Sequence, residues 1–297
     1  MQPVSSTPDA LAPATSARQA RLQTSGPAPV LPPRGSVREL LHFRQLIGLL
    51  VSRELKVRYK RSVLGMLWTM LNPLVLMVVY TVVFTTIMPT TQKNFAIFLL
   101  SGLLPWLYFS TALMQGLTSV LTNQDLIRKV RVPQAVFPLS VVASNLVNFG
   151  LSLVPLFLVM AVVGQPFTPA LLFLPVSTLV LTLFISGVTL LFASFTVFFR
   201  DVRHLTEVAL QVLFYLSPVL YGLDQLQGKA AWWFPAFRAA LRANPLTYLV
   251  PLVRDPVYYG RLPSLEVLGL ACAIAVGTLL VGFKAFVKLE PRHVHHF

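Results

Sequence analysis

Residues 132–199 read VPQAVFPLSVVASNLVNFGLSLVPLFLVMAVVGQPFTPALLFLPVSTLVLTLFISGVTLLFASFTVFF, 68 consecutive positions without Asp, Glu, Lys, Arg or His. About 20 apolar residues cross a bilayer, so this run holds two crossings. Gly164-Gln165-Pro166 and Pro169 mark where it folds back. Outward from it, residues 62–92 and 94–124 are charge-free runs of 31 residues each, and residues 208–223 and 267–283 are shorter ones. The sum is an all-α membrane protein with six spans, at about 64–88, 95–121, 135–163, 169–198, 207–223 and 264–287. Composition agrees: 55% of the chain is hydrophobic and only 11% charged, against about 25% charged in a soluble domain.

The net charge of +14 would suggest nucleic acid in a soluble protein, but its placement argues otherwise. Lys and Arg fall in alternate connections: 18 lie before the first span, between spans two and three, between four and five, and after the last, against six in the other three connections. By the positive-inside rule both termini are cytoplasmic and the protein belongs to a bacterial inner membrane. A nucleic-acid face would need its basic residues on one continuous surface. The one cysteine, Cys272, sits within the last span and excludes a disulfide framework.

Residues 1–35 hold seven prolines among Ala, Ser and Thr and read as a disordered cytoplasmic tail. Ser36-Val37-Arg38-Glu39 is a capping box that opens an amphipathic cytoplasmic helix over 36–62, with Leu40, Leu41, Ile47, Leu50 and Val51 on its apolar side. A short basic helix is expected near 123–132, closed by Pro133, with Leu126, Ile127 and Val130 on an apolar edge. Ser217-Pro218 invites a kink in span five. The outer loop 224–263, with Trp232, Trp233, Tyr248, Tyr258 and Tyr259 among prolines, reads as short helices at or dipping into the outer interface. Residues 288–297 form a short cytoplasmic tail, where His293, His295 and His296 read as a frayed end.

Several chemistries are missing. No Gly-x-x-x-x-Gly-Lys-Ser/Thr occurs, so this chain does not cradle nucleotide phosphates by that route. All ten acidic residues lie outside the spans or at their ends, which removes the midplane groups that carry coupling ions. A membrane-embedded sugar-transferring enzyme would need clustered carboxylates at one depth. Asp224, Asp255 and Glu266 share the outer side, but beside Lys229, Arg254 and Arg261 they read as solvated ion pairs. A membrane pathway with no motor and no midplane charge is driven from its basic cytoplasmic helices.

Those residues resemble a known family. Residues 53–73, RELKVRYKRSVLGMLWTMLNP, are similar to the signature that precedes and enters the first span of type 2 ABC exporter permeases, in the branch exporting lipid-linked O-antigen, capsule or teichoic acid. Residues 126–133, LIRKVRVP, followed by Pro138-Leu-Ser, then Arg200-Asp201, residues 217–221, SPVLY, and Asn244-Pro245-Leu with Arg254 support it. The proline-rich extension before Ser36 departs from that pattern. A permease of a drug or lipid exporter shares the same six-span plan and is the alternative.

The resemblance implies a homodimer working beside two copies of a separate ATPase subunit, which binds the ATP and Mg; this chain itself binds no cofactor. It implies that Asp125, Leu126, Ile127, Arg128 and Lys129 form a coupling helix, joined by Arg53, Glu54, Arg200 and Asp201 in contacting the ATPase. Leu126 and Ile127 would supply an apolar knob, and the basic residues also serve as topogenic charge. Leu64 and Gly65 would form the loop at the cytoplasmic entrance. Beside it Arg58, Tyr59, Lys60 and Arg61 would meet the diphosphate of a polyprenyl carrier at headgroup level, among membrane lipids. Sugars present apolar C–H faces to aromatic rings, so Trp68, Tyr80, Phe84, Trp106, Phe214, Tyr215 and Tyr221 are the candidates for the pathway lining. Trp and Tyr also favour membrane interfaces, and Phe fills cores.

Overall fold

A computed structural model describes residues 43–60, 65–87, 92–129, 132–222 and 234–293. The tail 1–35, the capping box at Ser36, Arg61, Leu64, Val130, Trp232, Trp233, His295 and His296 lie outside the described residues. Every element among the described residues is helical, the only way an uninterrupted apolar chain satisfies its backbone in lipid short of a closed barrel. In chain order these are α1 (Arg44–Tyr59), α2 (Leu67–Val82), α3 (Phe95–Gly116), α4 (Ser119–Thr122), α5 (Gln124–Lys129), α6 (Val136–Val163), α7 (Leu174–Phe198), α8 (Val202–Leu216), α9 (Phe234–Ala243), α10 (Leu246–Arg254) and α11 (Leu265–His293). π-Turns Val83–Ile87 and Asp255–Tyr259 extend α2 and α10, and a 3-10 turn, Pro169–Phe173, leads into α7.

Five helical stretches are long and apolar enough to cross a membrane: Leu67–Thr86, Phe95–Gly116, Val136–Val163, Pro169–Phe198 and Leu265–His293. The fifth predicted span differs. Its helix, α8, starts at Val202 and stops at Leu216, 15 residues or about 22 Å, short of a hydrocarbon core of about 30 Å. Pro218 is the reason: it holds Ser217 extended, with ψ 146°, so the helix ends where a kink was expected. Phe198 touches His293, so α7 and α11 both end at one face, while Ser217-Pro218 lies beside Arg254 and Ser101 near the start of α3. α8 and the extended segment after it connect these two ends of the bundle.

The outer loop contributes more than interfacial helices. Thr247, Leu249, Val250, Leu252 and Val253 of α10 are buried, and Ser177 Oγ on α7 donates to the Leu252 carbonyl at 2.6 Å. The loop therefore re-enters the bundle. Arg254, expected in solvated ion pairing, is instead 5% exposed; among the described residues Asp255 and Arg261 pair at 3.8 Å, the arginine exposed and the aspartate largely buried, while Asp224 and Lys229 lie outside the described residues. α3 sits at the centre, flanked by α2, α6, α7, α8 and α10. α7 and α11 lie so close that a Cβ on Gly282 would fall on the Gly187 carbonyl, the small-residue packing by which helices associate in lipid.

The C-terminal end is also more ordered than a frayed tail. α11 runs on to His293, whose ring is fully buried against Phe198 and Phe286, with Nδ1 2.8 Å from Gln134 Oε1. Both described ends of the chain thus lie at the basic face, since α1 packs its Leu50 against Val136 and Phe137 at the start of α6.

Candidate functional site

Two cavities flank α3. The first, about 390 Å³, lies between α2, α3 and α8 and is lined by Tyr80, Trp106, Phe214 and Tyr215 together with Leu76, Leu103, Leu107, Ser110, Leu210 and Gln211. Four of the seven predicted pathway aromatics therefore meet. Phe214 is the hub, its ring centroid 5.3 Å from Trp106, 5.3 Å from Tyr215 and 6.4 Å from Tyr80. Broad ring faces with a few polar tips and no ionisable acid or base suit a neutral, sliding cargo.

The other three aromatics stand elsewhere. Phe84 lies in the π-turn after α2 and packs on Phe95, at 5.4 Å between centroids, within a buried cluster with Phe98 and Leu99. Tyr221 follows the Pro218 break and its hydroxyl donates to the Tyr215 carbonyl at 3.2 Å. Trp68, 56% exposed, borders the second cavity. That one, about 380 Å³, lies between α1, α2, α3 and α6 and includes Arg58, Tyr59, Gly65, Trp68, Asn72, Gln115, Asn145 and Asn148. The two cavities share Leu107.

The polar wall of the second cavity is built from amides, which carry no charge to mark them within an apolar run. Arg58 donates to Gln115 Oε1 at 2.5 Å and to Asn145 Oδ1 at 3.2 Å, and the Tyr59 hydroxyl donates to Asn148 Oδ1 at 2.7 Å. Asn145 Nδ2 in turn donates to Gln115 Oε1 at 2.9 Å. The signal was present: Asn145 and Asn148 stand one turn apart on one helix face in an otherwise apolar run, and polar side chains in a span require partners. Lys60 is exposed where α1 ends, and Gly65 lines the same cavity.

At the basic face, Arg53 of α1 donates to Asn123 Oδ1 at 2.9 Å, tying the amphipathic helix to the turn before α5. Leu126 and Ile127 are half-buried. They pack inward around Leu50, Val136 and Phe137, because a six-residue helix with one apolar edge turns that edge to the core. Asp125, Arg128 and Lys129 form its exposed face. Glu54 is half-buried, while Arg200 and Asp201 are exposed in the turn between α7 and α8 at the same end of the bundle.

The opposite end holds a residue whose role the sequence did not disclose. Arg254 Nη1 donates to the Pro218 carbonyl at 2.5 Å and Nη2 to the Val219 carbonyl at 2.8 Å, while its guanidinium lies 4.0 Å from the Phe98 ring centroid. A Cβ on Gly102 would collide with the guanidinium, so glycine is required there. Asn244 Nδ2 donates to Ser217 Oγ at 2.9 Å and to the Leu216 carbonyl at 3.3 Å. The Leu216, Pro218 and Val219 carbonyls at the break are satisfied by these two side chains. Ser217-Pro218, Asn244 and Arg254, scattered in sequence, form one knot.

Residues 45–258 match the sequence profile of the ABC-2 type transporter family. The chain belongs to that family. Among its curated relatives is an O-antigen export system permease protein of Myxococcus xanthus, 40% identical over 252 residues that cover 84% of this chain and 94% of the relative. A Klebsiella pneumoniae protein of the same description is 30% identical, covering 83% and 93%. A polysialic acid transport protein of Escherichia coli is 24% identical, covering 80% and 91%. As an ABC-2 type transporter the chain is a multi-pass transporter subunit, and the matched segment carries both cavities and the Pro218 knot.

Proposed function

We propose that this chain is the permease subunit of an ATP-driven exporter that moves a lipid-linked polysaccharide across the bacterial inner membrane. The observation that carries the reading is the aromatic cavity: Tyr80, Trp106, Phe214 and Tyr215 converge on one path beside α3, in a chain whose relatives are polysaccharide permeases by description. A polymer must slide, so each contact has to be broad and weak, which ring faces provide and a strong ionic site does not. Export demands a second copy of this chain and two ATPase subunits, the latter docking on the face of Asp125, Arg128 and Lys129, with Arg53, Arg200 and Asp201 beside it. That face is cytoplasmic by the positive-inside rule.

The amide-lined cavity is then the entrance, where Arg58 meets the carrier diphosphate. Its guanidinium is held by neutral amide oxygens, which fix its direction and leave its charge for an anion. Because Arg58 and Tyr59 belong to the amphipathic helix and Gln115, Asn145 and Asn148 to the bundle, ATPase-driven movement of α1 reshapes this cavity directly. Deleting the gene tests the assignment. Surface polysaccharide should disappear and the lipid-linked polymer accumulate inside the cell, with the chain restoring both; an unchanged surface polymer would reject it.

A further inference from the structure

A third cavity, about 380 Å³, opens at the Pro218 end, lined by Arg254, Asp255, Tyr259 and Arg261 among others. Arg254 and Ser101 lie near the start of α3, whereas the Arg58 partner Gln115 lies near its end. Fourteen residues of helix separate the two levels, or about 21 Å. The two arginines therefore stand toward opposite ends of α3, and the hydrogen bonds of each end on neutral oxygens. Those of Arg254 go to two backbone carbonyls and a hydroxyl. They occupy one hydrogen on each of its three nitrogens, and a guanidinium carries five.

Arg261 reaches the same cavity across the Tyr259 ring, 4.8 Å from its centroid, and meets Asp255 at 3.8 Å. Two arginines against one aspartate leave the charged lining at +1. Such a concave site, with one buried guanidinium and one exposed one, fits a phosphate-bearing headgroup.

We infer that the Arg254–Arg261 cavity is a phosphate-binding site at the exit end, which receives the diphosphate of the lipid carrier after the headgroup released by Arg58 has crossed. The inference rests on the exporter reading. A general anionic lipid phosphate carries the same chemistry and is the alternative source of the ligand. Receiving the headgroup at the far leaflet gives the carrier a resting place while its polymer is still being drawn through the aromatic cavity.

Photolabelling tests the site. The purified full chain in phosphatidylcholine nanodiscs is exposed to a diazirine-bearing farnesyl diphosphate, and labelled peptides are mapped by mass spectrometry. Label is expected within residues 251–264, competed by unlabelled farnesyl diphosphate but not by farnesol, and reduced about tenfold in Arg261→Gln and in Arg254→Lys. Label near residues 65–73 stays unchanged in both. Arg261 is two-thirds exposed, so Arg261→Gln decides the matter if Arg254→Lys does not fold. Competition by phosphatidylglycerol as effective as by the diphosphate supports the phosphate site and assigns it to membrane lipid. Absence of label within 251–264, equal competition by farnesol, or wild-type labelling of Arg261→Gln overturns it. The exporter reading fails separately, through the gene-deletion result.

Discussion

Replacing Arg254 by Met should destabilise this protein more than any surface change, because the guanidinium closes a break in the backbone. The two bonds to the Pro218 and Val219 carbonyls are charge-assisted, worth about 1.5–3 kcal/mol each. The stacking on Phe98 at 4.0 Å adds up to about 2 kcal/mol when desolvated. Methionine keeps the packing of the stem and relieves the cost of burying a charge, so the net loss is roughly 3–5 kcal/mol. Asn244 still caps Leu216, and the damage is confined to the junction of α8 with α10. SDS titration of the purified protein in mixed micelles measures it. Arg261→Met is the control: its contact with Asp255 is 3.8 Å long and its own side chain is two-thirds exposed, so the pair is worth about 1 kcal/mol or less. An Arg254→Met protein that unfolds within about 1 kcal/mol of wild type would refute the role given to this side chain.

Three further outcomes are expected. Gly282→Val forces a side chain onto the Gly187 carbonyl and should separate α7 from α11 at a cost of about 1–3 kcal/mol, read as a lower unfolding midpoint and poorer membrane yield. Arg128→Glu with Lys129→Glu, on the exposed face of α5, should stop export at unchanged membrane level, and normal co-purification of the ATPase with the double variant would count against that face as its dock. Tyr80→Ala with Phe214→Ala removes two walls of the aromatic cavity and should slow polymer export without affecting ATPase assembly, measured as surface polysaccharide at equal protein level.

The spans were legible because apolar length is a direct physical requirement of the bilayer: the run 132–199 became α6 and α7, with Gly164 at the end of α6 in a left-handed conformation at φ 79°. The short length of α8 was not, since hydropathy averages over Pro218 and does not register that a proline ends a helix whose last carbonyls find other donors. Four aromatics of one cavity were identified from residue type and span. Tyr80 and Phe84 both pack against the Phe95, Phe98 and Leu99 cluster, and of the two Tyr80 also lines the aromatic cavity. Arg254 read as surface charge because nothing local distinguishes a buried arginine from a solvated one. Its partners lie 153, 36 and 35 residues away in sequence, and only the folded chain brings them together.

Reconstitution measures the central claim most directly. Proteoliposomes containing this chain and its ATPase subunit are given a polyprenyl-diphosphate-linked polysaccharide on the ATPase side, and polymer protected inside the lumen is counted with and without ATP. ATP-dependent accumulation of the polymer is expected for wild type, and its loss with Tyr80→Ala and Phe214→Ala together. ATP-driven movement of small lipids or drugs with no polymer in the lumen would contradict it.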